Sequence, residues 1–118
     1  MLPDMDEAYH VTVFDNFHGG DPDESWVIGT CSTAEAAIAL VKQRVDQELK
    51  YFWSEICRQD GGHSTLDRLI SQYDSFAETP VAFNRQGEQI FDTTVYVKSR
   101  AAEIIAEAKA QHGPQRTP

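Results

Sequence analysis

The sequence predicts an α+β fold: a small, mostly antiparallel sheet in the order β-β-α-α-β-α, with a long central helix and a C-terminal helix packed on one face. Three observations carry that prediction. Two segments of strand-like composition stand side by side before residue 32, a long helical stripe of apolar residues follows, and an alanine-rich segment of helical period closes the chain. With 118 residues, 41% of them hydrophobic, the chain has the size of one domain and no room for a second. That domain is expected over residues 1–112, with 113–118, "GPQRTP", as a flexible tail.

In the first strand, Tyr9 to Phe17, Tyr9, Val11, Val13 and Asp15 alternate with His10, Thr12, Phe14 and Asn16, a period of two with β-branched and aromatic content. The polar, glycine-bearing stretch 18–24 turns the chain, and Ser25 to Cys31, "SWVIGTC", reads as a strand pairing back antiparallel. Ser32-Thr33-Ala34-Glu35 reads as a capping box with Ser32 as the cap. From there Ile38, Val41, Val45, Leu49, Phe52, Trp53 and Ile56 recur at spacings of three and four, a stripe of about six turns. Asp60-Gly61-Gly62 ends that helix, since glycine takes the left-handed conformation readily.

A shorter helix follows, capped by Ser64 or Thr65, with Leu66, Leu69, Ile70, Tyr73 and Phe76 on its inner face and Pro80 as its stop. "PVAFNRQGEQIF" holds one or two short strands around a turn at Arg85-Gln86-Gly87. Asp92 or Thr93 caps the last helix, which faces Val97, Ala101, Ile104, Ile105 and Ala108 inward. Residues 93–97 satisfy a strand pattern as well as a helical one. The chain has no internal repeat and no low-complexity segment.

The charge is −9 and is unevenly placed: residues 1–41 hold eight acidic residues and no Lys or Arg, while the remaining 77 hold 11 acidic and 10 basic. A field of that sign repels phosphate backbones, so direct nucleic-acid binding is not expected and a basic protein partner is. No apolar run approaches the ~20 residues of a membrane helix, and the acidic N-terminus "MLPDMDEAYH" lacks the positive start of a signal peptide. A cytoplasmic protein without membrane contact is expected. Cys31 and Cys57 lie far apart without C-x-x-C spacing, which suits small buried hydrophobes.

The richest cluster of polar chemistry is Asp15-Asn16-Phe17-His18-Gly19-Gly20-Asp21-Pro22-Asp23-Glu24. Imidazole and carboxylate donors suit a transition metal, but the calcium-loop pattern begun by Asp21, Asp23 and Ser25 fails at Trp26 and Ser32. An Asp-rich hairpin loop that caps its own backbone is the plainer reading, and no metal, cofactor or catalytic residue is assigned. Cys31, just before a helix start, is the better thiol nucleophile of the two, given a histidine within reach. "YFW" at 51–53 spreads three rings over about 200° of a helix, so they cannot share one core. Either Tyr51 lies over the sheet edge or an aromatic ring is left as a contact anchor.

Short motifs spread over most of the chain resemble a family of small uncharacterised bacterial proteins. The matching residues are Asp15-Asn16-Phe17-His18, then Tyr73, Phe76, Glu78 and Pro80, then Phe91, Tyr96, Arg100, Ala101 and Glu103. The resemblance implies a compact bacterial cytosolic protein and brings no activity, cofactor or catalytic residue with it. The functional expectation is a non-enzymatic protein-binding or regulatory module, with Asp15, Asn16, His18, Asp21, Asp23, Glu24, Tyr51 and Trp53 as contact residues. The alternatives are a small metal-dependent or thiol enzyme around Asp15, His18 and Cys31, and a structural homodimer.

Overall fold

A computed structural model describes residues 8–16, 25–61 and 64–112. Three strands and three helices follow one another as β1 (Tyr9–Asp15), β2 (Ser25–Cys31), α1 (Ala34–Asp60), α2 (Leu66–Phe76), β3 (Glu78–Phe83) and α3 (Thr93–His112). This is the α+β fold and the element order that the sequence predicts. The sheet is antiparallel throughout, in the order β2-β1-β3. Alternation in β1 sends Val11 and Val13 to one face, and their register partners on β3, Ala82 and Pro80, are buried beside them. The helices cover this face. Val11 and Ala82 join a core with Ala37, Val41, Val45, Leu49 and Ile56 of α1, Leu69 and Tyr73 of α2, and Val97, Ala101, Ile104 and Ile105 of α3.

α1 is set by its stripe and by its two caps. Thr33, in extended conformation, accepts from Ala36 N–H at 3.1 Å, so the cap falls one residue after the expected Ser32. Gly61 closes the helix at φ 65°, where a side chain would be strained. The buried stripe starts at Ala37 rather than Ile38, because the smaller side chain lets α1 lie close to the sheet. Gly29 of β2 serves the same approach: a Cβ there would meet Leu40 Cδ2 at 2.7 Å. A bulge in β2 between its pairings with Val11 and Thr12 brings Ile28 onto the core beside Gly29.

Three further expectations need correction. β1 ends at Asp15, because the Asn16 backbone turns away to donate to Ala77 C=O at 2.9 Å. α2 ends at Phe76 rather than at Pro80: Ala77 is extended, and Pro80 lies buried inside β3. Proline fits there because β3 is an edge strand whose outer side needs no N–H from it. Leu66 and Phe76 are exposed, so the buried face of α2 is Leu69 and Tyr73, with Ile70 packed beside them. Residues 93–97 take the helical of their two patterns, Ala108 is half-buried, and of the one or two strands expected in 80–91 one forms, with a single bridge, Phe83 to Gln89, beyond it.

The outer edge of β3 is closed by groups from α1, from α3 and from the segment that joins β3 to α3. Glu78 N–H donates to Glu48 Oε1 of α1 at 3.0 Å, Pro80 C=O accepts from Thr93 Oγ1 at 2.7 Å, and Ala82 C=O accepts from Ile90 N–H at 3.0 Å. Asp92 Oδ1 caps α3 through Val95 N–H at 3.1 Å. α1 and α3 are then locked by Asp46, which accepts from Tyr96 Oη at 2.8 Å and from Arg100 Nε at 3.0 Å.

Candidate functional site: the helix-free face of the sheet

The same alternation that buries Val11 and Val13 presents His10, Thr12 and Phe14 on the opposite face. Register places His10 between Thr30 and Phe83, Thr12 between Val27 and Val81, and Phe14 beside Ser25. None of these eight residues is Asp, Glu, Lys or Arg, in a chain with 25% charged residues. Phe14, Val27, Val81 and Phe83 stand outside the core cluster, Val27 is 55% exposed, and His10 stacks on Phe83 with centroids 5.3 Å apart. At strand spacings of about 4.8 Å and a rise of about 3.3 Å per residue, the face covers roughly 300 Å². That is the scale of a functional apolar patch on a small protein. Trp26, 42% exposed on the outer strand β2, pairs in register with Val13 and so stands on the helix-covered side of the sheet, outside this face.

The residues nominated from sequence divide into three groups. His18, Asp21, Asp23 and Glu24 lie outside the described residues. Asp15 and Asn16 end β1, and Asn16 is wholly engaged: Nδ2 donates to Tyr73 C=O at 3.0 Å and Oδ1 accepts from Thr79 Oγ1 at 3.0 Å. Asn16 therefore pins the junction of α2 and β3. Asp15 sits opposite Glu78, whose carboxylate is ion-paired with Arg44 of α1. Tyr51 is 59% exposed with its ring edge-on to Phe52, while Trp53 is half-buried against the core. α1 passes the Asp15 end of the sheet at Glu48 and continues for about three turns, so both rings lie beyond that end.

The thiols do not assemble a nucleophile among the described residues. Cys31 pairs in register with Tyr9 and His10 with Thr30, which puts Cys31 and His10 on opposite faces of the sheet. Burial, with Asp60 adding to it, pushes the Cys57 thiol up and keeps it protonated. Both cysteines are half-buried rather than buried. Among the described residues no three His, Cys, Asp or Glu side chains gather as a metal site, and no helix is long and apolar enough to cross a membrane.

Phe91, Tyr96, Arg100 and Glu103 converge on one structural lock. Lys42 Nζ lies 5.6 Å and 5.5 Å from the Phe91 and Tyr96 ring centroids, and Arg100 Nη1 reaches Glu103 at 3.0 Å and Glu107 at 3.1 Å. Burial, then the hydrogen bond to Asp46 and its charge, push the Tyr96 phenol up to about 12. Burial opposes the charge on Arg100, but its three carboxylates outweigh that and hold it protonated above the ordinary range. These groups satisfy one another.

No single segment signals the helix-free face, because its residues come from three strands and only the register joins them. The one available hint is Phe14, an aromatic on the face of β1 opposite Val11 and Val13. No protein-family model matches the chain, and neither a curated protein nor a solved structure does.

Proposed function

We propose that the chain is a non-enzymatic protein-binding module whose contact surface is the helix-free sheet face, and that its partner is a basic protein. One observation carries the reading: eight neighbouring positions on three strands, without a charged residue, in a chain of net charge −9. Interface centres lose charge and keep aromatic and apolar side chains, with the polar residues at the rim. Six of the eight residues come from the first 41, which also carry eight acids and no Lys or Arg. A complementary surface has an apolar centre ringed by Lys and Arg. A second copy would bring −9 against −9, which favours an unlike partner.

Size sets the strength. The face supplies roughly 300 Å² of the about 800 Å² per partner that a stable interface buries, so further residues around it must contribute. Such a contact is transient and steered by charge, and it weakens as the screening length falls to about 10 Å at 0.1 M salt. Affinity capture from native cytosol at low and moderate salt tests this. Wild type is expected to recover a basic protein that both Val27→Lys and an Asp21→Asn, Asp23→Asn, Glu24→Gln variant lose. Recovery of the same protein by all three forms would overturn the reading.

A further inference from the structure

We infer that His10 makes binding at the helix-free face sensitive to pH: its neutral imidazole belongs to the contact surface, and its protonation in mild acid releases a basic partner. The inference rests on the sheet-face reading and adds the regulation of that site. Histidine is the side chain that ordinarily gains its charge between pH 5 and 8. The other seven residues of the face are threonine, serine, valine and phenylalanine, and none of these becomes charged near neutral pH. His10 alone among the eight can therefore turn the uncharged face into a charged one.

Its place in the sheet decides what that charge does. β1 is the central strand, and register sets His10 between Thr30 of β2 and Phe83 of β3. The imidazole is half-buried and lies over the Phe83 ring, with centroids 5.3 Å apart and planes 24° from parallel. Thr12 on β1, Thr30 on β2 and Phe83 on β3 are its neighbours on the face, and the eight residues include no carboxylate to pair with an imidazolium. In the turn after β3 stand Arg85, which lines a pocket with Ala8 and Tyr9, and Glu88, whose carboxylate accepts from Asn84 Nδ2 at 2.8 Å. Neutral, the imidazole is covered with the rest of the face at little cost. Protonated, it sets an unpaired positive charge in a contact that excludes water, against a partner of the same sign. Both penalties fall on the complex, because the free chain leaves the open side of the ring to water. His10 stands outside the core cluster, so the fold itself survives the change.

The experiment measures the affinity of the full chain for the basic protein that it recovers at low salt and that Val27→Lys loses, at about pH 7.5 and about pH 5.5. Wild type is expected to bind about tenfold more weakly, or worse, at the lower pH, with an unchanged far-UV circular dichroism spectrum. His10→Phe keeps a ring on Phe83 and cannot be charged. Whatever its affinity at the higher pH, it should keep that affinity within about threefold at the lower one. That comparison also separates His10 from His18, His63 and His112. His10→Lys, charged at both pH values, should bind weakly at both. Equal affinity of wild type at the two pH values would overturn the inference and leave the sheet face standing, as would a His10→Phe variant that loses affinity in acid just as wild type does. Recovery of no such basic protein at the higher pH would overturn the sheet-face reading, and the inference with it.

Discussion

Replacing Asn16 by Ala tests whether this residue holds the fold or serves a partner. The change removes two part-buried hydrogen bonds, from Nδ2 to Tyr73 C=O and from Thr79 Oγ1 to Oδ1, each 3.0 Å long. The Tyr73 carbonyl keeps its bond from Ala77 N–H at 3.0 Å, and the backbone bond from Asn16 N–H to Ala77 C=O survives as well. No carbonyl is therefore stripped of all partners, and the loss is near the mean worth of two bonds, about 2 kcal/mol. For a domain of this size that lowers Tm by about 8 °C. Asn16→Asp keeps the acceptor for Thr79 but sets a carboxylate oxygen against the Tyr73 carbonyl, so it should lose at least as much. Chemical denaturation of both variants, with thermal unfolding alongside, gives the answer. If both stayed within about 0.5 kcal/mol of wild type, the range of an ordinary surface substitution, the pin would be refuted and Asn16 returned to the candidate contact residues.

Thr93→Val leaves the Pro80 carbonyl at the β3 edge without its 2.7 Å hydroxyl donor in a buried setting, and should cost about 1–2 kcal/mol by denaturant titration. A stability unchanged within error would mean that the β3 edge is not closed by α3. Alkaline titration reads the Tyr96 lock. Its phenol is raised above the ordinary value of 10.0, so the folded state keeps a proton that the unfolded state releases. The resulting stability is fully present below pH 10 and is lost as pH rises from 10 towards 12. Solvent at this half-buried site limits the change to about 1 kcal/mol. Tyr96→Phe should remove that component of the decline, and an identical alkaline profile in the variant would contradict the assignment.

The fold was legible wherever one pattern ran long enough to exclude its rivals. Seven apolar positions between Ile38 and Ile56, bounded by Ser-Thr and Gly-Gly, leave only a long helix. The alternation of β1 and the uncharged run of β2 leave only a hairpin. Legibility ended where a local signal was overruled by an edge or a neighbour. Pro80 reads as a helix stop, yet it belongs inside β3, where an edge position excuses its missing N–H. Leu66 and Phe76 read as inner-face residues, yet a short helix at the end of a three-stranded sheet has core to fill only along Leu69 and Tyr73. Val95, Tyr96 and Val97 satisfy two periods, and Asp92 at the cap decides for the helix. The sheet face was the least legible feature, since Thr12, Val27 and Val81 become neighbours only through register.

The sheet face can be tested most directly by hydroxyl-radical footprinting of the complex recovered at low salt, compared with the chain alone. The account predicts loss of oxidation at Phe14 and Phe83, with Tyr51, beyond the end of the sheet, still oxidised as in the free chain. Protection of Tyr51 with Phe14 and Phe83 unchanged would place the contact on α1 and contradict the sheet face as the binding surface.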